Sequence, residues 1–382
     1  MTGGDQQRSG TDRWRRLRGL VRKEFLQVAR DPSSIAIAFF MPLFLLFLFG
    51  YGVSLDAENV PVAVVAEQHD SDSAEFTAAL QGSRYFRVYP MESLPEATRA
   101  LLAGQVDAIV HLRANFAAGL QGPGAGRIQI LVNGVDANTG RLIQGYLEGA
   151  WLTWLNQRAR GLGRELEIPV EMEHRVWFNA ELRSRNYLVP GLIVVIMTLI
   201  GALLTALVMA REWERGTMEA LMVTPVSVAE ILLGKLIPYF LLGTGGFLLS
   251  VAMALFLFEV PLRGSFWVLL ATSSLFLFVA LGMGLFISSF AKNQFVAGQV
   301  AIIATFLPAF LLSGFIFDIG SMPPVVQAIT HVIAARYFVT ILGTLFLAGD
   351  VWQVIIPNAF ALVLMAAVFL GLTWRNTRKR LE

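Results

Sequence analysis

A charged segment from Arg211 to Pro225 separates two long apolar runs, and it is where chemistry is first expected in this sequence. The flanking runs, Tyr187 to Met209 and Ile231 to Phe258, contain Lys235 as their only charged side chain. Arginine and glutamate are costly in lipid, so the segment must lie at a membrane face. Two interpretations are open: a solvated helical loop, and a docking helix for a cytoplasmic partner.

Helical spacing organises this segment. Glu212, Arg215 and Glu219 recur on one stripe of a helix. A second stripe holds Trp213, Gly216, Thr217, Ala220 and Thr224. Pro225 ends the predicted helix, because proline biases the preceding residue away from helical backbone angles.

Other residue types that could carry chemistry do not form recognisable sites. The chain has no cysteine, which excludes disulfides, thiolate catalysis and zinc-thiolate sites. His69, His111 and His174 have no metal-ligand spacing. Lys235 follows a glycine but lacks the remaining residues of a P-loop. We therefore expect no catalytic residue, no metal and no ATPase motif, so that energy for any active transport comes from a partner.

Composition places the chain among polytopic membrane proteins. Hydrophobic residues make up 55% and charged residues 15% of the sequence, and the mean hydropathy is +0.60. The net charge is +2, and the basic residues cluster beside apolar spans at both chain ends. This pattern is typical of membrane-flanking arginines and argues against nucleic-acid binding.

The N-terminal part contains a polar tail and an amphipathic helix. Residues 1–12 are polar and are predicted to be disordered. Residues 13–31 form a helix whose apolar stripe consists of Trp14, Leu17, Val21, Phe25 and Val28. We expect this helix to lie in the cytoplasmic interface with its arginines on anionic headgroups, the alternative being a soluble amphipathic helix.

Six spans follow from the apolar runs, each long enough to cross a bilayer. They cover residues 34–55, 186–210, 230–258, 265–290, 294–317 and 352–374. The positive-inside rule places both termini, including the basic tail 375–382, in the cytoplasm. Residues 318–350 contain two amphipathic pieces too short to cross, which predict a helical hairpin in the outer leaflet. Because Glu230, at the first position of the third span, and Lys235 near its start are the only charges within these six spans, a proton- or sodium-coupled carrier is disfavoured.

A large extracytoplasmic domain is predicted between spans one and two, over residues 56–185. Short apolar strands alternate with helices from Val60 onward, which indicates an α/β domain with a small sheet. Leu55 to Arg185 contains 12 Arg against 16 Asp and Glu, a net charge of −4. A Gly-Pro loop is expected over Gly119 to Gly126, and a final strand over Val170 to Phe178.

Several motifs together resemble the membrane subunits of type 2 ATP-binding-cassette exporters, most closely the bacterial drug-efflux branch. They are Arg211-Glu212-x-Glu214-Arg215-Gly216-Thr217-x-Glu219-x-Leu221-x-Val223-Thr224-Pro225, Glu230-Ile231-Leu232-Leu233-Gly234-Lys235, Tyr187-x-Val189-Pro190-Gly191, Leu312-Ser313-Gly314-Phe315-Ile316-Phe317 and Met322-Pro323-Pro324. The resemblance covers essentially the whole chain. It implies a six-span permease of the bacterial inner membrane that pairs with a second permease subunit, identical or different. It also implies two separate ATPase chains, which bind the ATP and Mg²⁺.

By this resemblance, residues 211–225 are the coupling helix seated in a groove of the ATPase, and residues 13–31 are the interfacial connecting helix. The residues assigned to ATPase coupling are Arg211, Glu212, Trp213, Glu214, Arg215, Gly216, Thr217, Met218, Glu219, Met222, Thr224 and Pro225. The three glutamates are expected to pair with basic residues of the ATPase, and Trp213, Met218 and Met222 to serve as apolar anchors.

The expected function is ATP-driven export of a lipophilic small molecule or drug. Thr198, Thr205, Gln299 and Thr305 are the candidate pathway residues, with helix–helix adhesion as the alternative. Export of a lipid or glycan, and a non-transporting membrane receptor, are the competing functions. Membrane lipids and a periplasmic adaptor are further candidate partners.

Overall fold

The computed structural model describes residues 4–52, 59–121, 128–133, 137–161 and 183–377. The chain divides into two compact units. Met1–Val53 and Val176–Glu382 form the first, called the membrane unit here, and Ser54–Arg175 forms the second, the α/β unit. The predicted strand over Val170 to Phe178, much of the Gly-Pro loop and the last five residues lie outside the described ranges.

The membrane unit begins with helix α1, Gly4–Ala29, and the first candidate span α2, Pro32–Gly52. Residues 4–12 belong to α1, so the prediction of a disordered tail is wrong for them. The break between α1 and α2 is encoded locally. Asp31 has extended backbone angles and its carboxylate accepts a hydrogen bond from the Ser33 amide at 3.2 Å. Pro32 occupies the first helical position, where its missing N–H costs nothing. The chain therefore changes direction between Ala29 and Pro32.

The α/β unit contains a four-stranded sheet in the order β2-β1-β3-β4. Its elements in chain order are β1 Val60–Ala66, α3 Ser71–Gln81, β2 Phe86–Met91, α4 Leu94–Leu102, β3 Ala108–Leu112, α5 Phe116–Gln121, β4 Ile128–Val132 and α6 Ala137–Gly161. β1 is parallel to β2 and β3, and β4 is antiparallel to β3. The predicted alternation of strands and helices is confirmed.

Both faces of this sheet are covered, which explains why its central strands are almost continuously apolar. Side chains from α3, α5 and α6 fill one face, where Phe76, Phe116 and Trp154 are buried together. Ala97 and Ala100 of α4 pack on the other face. This unit is a small three-layer α/β structure.

The rest of the membrane unit is helical. It consists of α7 Ser184–Glu214, α8 Thr217–Val223, α9 Val228–Leu257, α10 Phe266–Ala291, α11 Gln294–Leu312, α12 Pro324–Thr330, α13 Ala334–Leu347 and α14 Trp352–Asn376. Together with α2, helices α7, α9, α10, α11 and α14 make six that are long and apolar enough to cross a membrane. The chain is thus a polytopic helical membrane protein, and the six predicted spans are found.

Helix α7 lies at the centre of the membrane unit, buried along almost its full length. It packs closely on α10 through small residues. A Cβ atom added at Gly201 would collide with Ala280, and one added at Gly284 would collide with the Ala202 carbonyl and the Thr205 hydroxyl. Small residues of this kind allow membrane helices to approach and to gain van der Waals contact. Helices α7 and α10 are therefore in close contact along this face.

The predicted hairpin after the fifth span is a pair of short helices. α12 and α13 are bent by 81° relative to each other. Phe338 of α13 is fully buried, and its ring stacks on Phe276 of α10 at 4.3 Å between centroids. Span five is shorter than expected. α11 ends at Leu312, and Gly314 then adopts a positive φ of 85°, which glycine tolerates.

Candidate coupling site

The segment predicted as one helix over residues 211–225 is broken at Gly216, so that prediction is wrong. Helix α7 continues from the span through Glu214 and ends at Arg215. The Arg215 amide donates to the Arg211 carbonyl and the Gly216 amide to the Trp213 carbonyl, each at 3.1 Å. Gly216 has φ +68°, a left-handed conformation that favours glycine. Helix α8 then starts at Thr217 and ends before Thr224 and Pro225, as expected. The result is a corner between α7 and α8.

Four of the solvent-exposed side chains of this corner define what we call the corner surface. They are Glu214, Arg215, Glu219 and Val223. Val223 is 71% exposed, although it is an apolar residue beside charged ones. Thr217 and Pro225 are also exposed, and Thr217 donates a hydrogen bond to the Glu212 carbonyl. A rim of charges around an exposed apolar side chain is chemistry that suits a protein partner.

Glu212 does not belong to the corner surface, which corrects its predicted role. Its side chain is buried and forms an ion pair with Lys235, with 2.6 Å between Glu212 Oε2 and Lys235 Nζ. Lys23 Nζ lies 3.1 Å from Glu212 Oε1. Lys235 also donates to Glu24 Oε1 at 3.2 Å. These four residues, called the charge cluster below, join α1, α7 and α9.

Three of the four members of the charge cluster are nearly closed to solvent, whereas the side chain of Lys23 is 46% exposed. Glu24 and Lys235 are each 2% exposed and Glu212 is 3% exposed. Two carboxylates and two ammonium groups give zero net charge, which is what makes such burial tolerable. Burial alone would lower the pKa of Lys23, but the charges of Glu212 and Glu24 outweigh it and raise that pKa. Analysis of the sequence missed Lys23 and Glu24, although a lone lysine in an apolar run signals a counter-charge nearby.

Two further ion pairs connect the same helices. Arg211 Nη1 lies 2.9 Å from Asp31 Oδ2, and Arg16 Nη2 lies 3.4 Å from Glu230 Oε1. Burial alone would raise the pKa of Asp31, but hydrogen bonds from Ser33 and Ser34 and the charge of Arg211 lower it to about 2. Arg211 thus stabilises the end of α7 against the break between α1 and α2, and it does not face the corner surface.

The predicted apolar stripe of α1 is only partly exposed. Trp14 is 75% exposed and Phe25 is exposed, whereas Val28 is buried in the core of the membrane unit. Leu17 and Val21 are half-buried. The face of α1 that packs on α9 carries Leu20, which a Cβ on Gly234 would meet at 3.0 Å. The helix is therefore held by the protein along one side and left open along the other.

The predicted apolar anchors are distributed differently from expectation. Met218 is fully buried, so it holds α8 against the membrane unit and cannot contact a partner. Trp213 is half-buried, and Lys292 Nζ lies 5.3 Å from its ring centroid. The side chain of Met222 lies outside the described part of the structure. Val223, which analysis of the sequence did not single out as an anchor, is a large apolar residue that faces solvent.

The candidate pathway residues are mostly engaged in helix packing. Thr198, Thr205 and Thr305 are buried, and each hydroxyl donates to the carbonyl four residues earlier. Thr205 also donates across to the Leu281 carbonyl of α10 at 2.8 Å. A cavity of about 40 Å³ contains Thr198 and Thr305 in its lining, and Gln299 is exposed. These contacts favour the helix-adhesion alternative for Thr205.

Comparison with known proteins agrees with the motifs described above. Residues 33–375 match the profile of the ABC-2 family transporter protein family. The chain is similar to the probable multidrug ABC transporter permease YbhS of Escherichia coli strain K12, with 45% identity over 370 residues, 97% of this chain and 98% of that protein. It is 26% identical over 356 residues to the probable multidrug ABC transporter permease YbhR of the same strain, covering 92% and 95%. The inner membrane transport permease YhhJ is 24% identical over 326 residues, covering 84% and 85%. The chain therefore belongs to the ABC-2 family of transporter permeases.

Proposed function

We propose that this chain is the membrane subunit of an exporter that moves a lipophilic small molecule or drug out of the cell, powered by a separate ATPase. The observation that carries the proposal is the continuity of α7. One helix of 31 residues leads from the exposed corner into the buried centre of the membrane unit. At 1.5 Å per residue it extends about 46 Å, enough to connect the two sides of a bilayer.

The proposed mechanism follows from what is attached to this helix. A partner that pushes on the corner surface displaces α7 as a rod, because Glu214 and Arg215 of that surface lie at the end of α7 and α8 follows directly after Gly216. The Thr205 hydrogen bond and the contact at Gly284 carry that displacement to α10. The charge cluster carries it to α1 and α9. An element with two discrete positions, biased at one end, is what coupling requires.

The ATP and Mg²⁺ of the proposed complex belong to the partner. The sequence lacks Gly-x-x-x-x-Gly-Lys-Ser/Thr, so this chain has no P-loop of its own. Glu219 and Arg215 of the corner surface would pair with complementary charges on the ATPase, and Val223 would enter an apolar pocket of its docking groove. Glu214 also contacts the start of α11 within this chain. The backbone N–H of Gln294 donates a hydrogen bond to Glu214 Oε2 at 3.4 Å.

The proposed orientation places the corner surface and both termini in the cytoplasm and the α/β unit outside the inner membrane of a bacterium. Basic residues flank the spans on the side of the corner, as the positive-inside rule requires. The α12–α13 hairpin then lies at the outer leaflet. A second permease subunit, identical or different, and a periplasmic adaptor complete the proposed assembly. Exposed apolar side chains on α11, such as Phe295 and Ile303, are available for contact with a second subunit or lipid.

Affinity purification from native membranes tests the proposal. We expect a P-loop ATPase to co-purify, and its ATP turnover to drive uptake of a lipophilic fluorescent dye into inside-out vesicles. ATP turnover without dye uptake, but with movement of a labelled lipid or glycan, would assign the alternative cargo. If no ATPase co-purifies and none is needed for activity, the chain is a receptor and the proposal fails.

A further inference from the structure

The side of α1 that faces away from the protein core borders a groove of about 440 Å³. Its lining consists of Trp14, Arg15, Leu17, Arg18, Val21 and Ile237. Ile237 belongs to α9, so the groove lies between the two helices. The floor is apolar, and two arginines stand beside it. This combination of an apolar floor and cationic rim has no role in the coupling site described above.

Arg15 and Arg18 differ from the charged residues of α1 that form ion pairs. Arg16, Lys23 and Glu24 are engaged in ion pairs with α7 or α9. Arg15 and Arg18 are exposed and form no ion pair with any side chain that the structure describes. They are three residues apart on a helix, which places them as neighbours on its surface. Two adjacent guanidinium groups match the geometry and charge of a phosphate.

A line of exposed apolar side chains continues from the groove along α9. Ile237, Leu241 and Leu248 recur at spacings of four and seven residues, so they share one face of the helix, and all three are exposed. From Ile237 to Leu248 the helix rises about 16 Å. Half of the hydrocarbon core of a bilayer measures about 15 Å, the depth that one leaflet's acyl chains reach.

We propose that this groove binds an anionic glycerophospholipid. Its phosphate would accept hydrogen bonds from Arg15 and Arg18, Trp14 would lie at the headgroup level, and an acyl chain would follow Ile237 and Leu241 along α9. The bound lipid holds the open side of α1, while the charge cluster holds its protein-facing side. The proposal concerns lipid binding alone and does not depend on the cargo or on the ATPase.

Native mass spectrometry of the purified full-length chain tests the proposal. The probes are phosphatidylglycerol and phosphatidylcholine with the same acyl chains, added at equal concentration to the detergent. The wild-type chain is expected to retain phosphatidylglycerol in preference. Arg15→Gln/Arg18→Gln should reduce that preference about 30-fold, if each arginine contributes as basic residues do at an anionic membrane surface. Ile237→Trp, which fills the groove without changing charge, should also weaken retention.

Arg375→Gln is the matched control, because Arg375 is an exposed basic residue in the last turn of α14 that does not line this groove. Its lipid preference should equal that of the wild type. An equal loss in Arg375→Gln would mean unspecific attraction of anionic lipid, and would overturn the proposal. Retention of the preference in Arg15→Gln/Arg18→Gln would overturn it as well. Because both arginines are exposed, Arg15→Gln/Arg18→Gln should unfold at the same temperature as the wild type in phosphatidylcholine. This measurement verifies that the variant is folded.

Discussion

Lys235 and Glu212 form a buried ion pair between α9 and the end of α7, with 2.6 Å between Nζ and Oε2. Lys235 simultaneously compensates Glu24 of α1 at 3.2 Å. One ammonium group thus neutralises carboxylates from two different helices. The position of the α7–α8 corner relative to α1 depends on this lysine.

Removing Lys235 should destabilise the membrane unit severely. Lys235→Met leaves two buried carboxylates with Lys23 as the one remaining counter-charge of the charge cluster, and breaking a buried pair in this way costs about 3–5 kcal/mol. Lys235→Met/Glu24→Gln restores zero net charge and should recover much of the loss. Thermal unfolding in detergent measures both. Lys292→Met, at an exposed lysine over Trp213, should cost about 1 kcal/mol or less. A double variant no more stable than Lys235→Met would refute the charge-balance explanation.

Gly216 and Gly19 should respond to alanine in opposite directions. A Cβ atom meets nothing within 4 Å at either position, so steric collision plays no part. At Gly216 the φ of +68° makes alanine costly by about 1–2 kcal/mol. Gly19 lies within α1, where alanine is the better helix former and should add about 1 kcal/mol of stability. Comparable changes of the same sign, measured by thermal unfolding, would contradict the left-handed corner.

Asp31 should contribute stability across the physiological pH range. Its folded pKa of about 2 lies below the ordinary value of 3.8, so its contribution is fully present above pH 3.8 and is lost as the pH falls through 2. The stability difference between wild type and Asp31→Asn should therefore be constant from pH 7 to pH 5. Asp31→Ala should lose about 1 kcal/mol more, because it also removes the helix cap. A difference that shrinks already between pH 7 and pH 5 would disprove the lowered pKa.

Thr205 should matter for helix packing more than for transport specificity. Thr205→Val removes the hydrogen bond to the Leu281 carbonyl and should cost about 1 kcal/mol. Thr198→Val is the control, since Thr198 donates to Val194 of its own helix. Thermal unfolding of the two variants measures their loss of stability. Transport of a panel of lipophilic dyes measures their substrate specificity. A changed dye profile in a fully stable Thr205→Val variant would return this residue to the pathway.

Much of the fold is visible in the sequence because lipid and sheet burial leave strong patterns. The six spans are long apolar runs, and β1 is an uninterrupted apolar strand because helices cover both faces of its sheet. The cap at Asp31 followed by proline also has a local signal. These features depend on neighbours in sequence, so they can be predicted without knowing which helices pack together.

The charge cluster shows what the sequence does not reveal. Glu212 has the same residue type and spacing as the solvent-exposed Glu219, and only the packing of α1 and α9 around it makes it buried. Glu24 lies 188 residues before Glu212, so its role depends on the tertiary fold. The break at Gly216 did have a signal, since glycine after a charged last turn commonly ends a helix. The residues on both sides of Gly216 keep the spacing of one helix, so the sequence pattern predicted a continuous helix instead.

The most direct test of the account is the retention of the ATPase by a chain with an altered corner surface. Glu219→Lys/Val223→Ser changes two exposed residues and leaves the charge cluster intact, and Glu96→Lys in the α/β unit is the control for an exposed charge reversal. The co-purified ATPase and the rate of dye transport are measured on equal amounts of inserted chain. The account predicts normal insertion and thermal stability, with both quantities reduced at least tenfold in the corner variant alone. Wild-type retention of the ATPase and wild-type transport in that variant would contradict it.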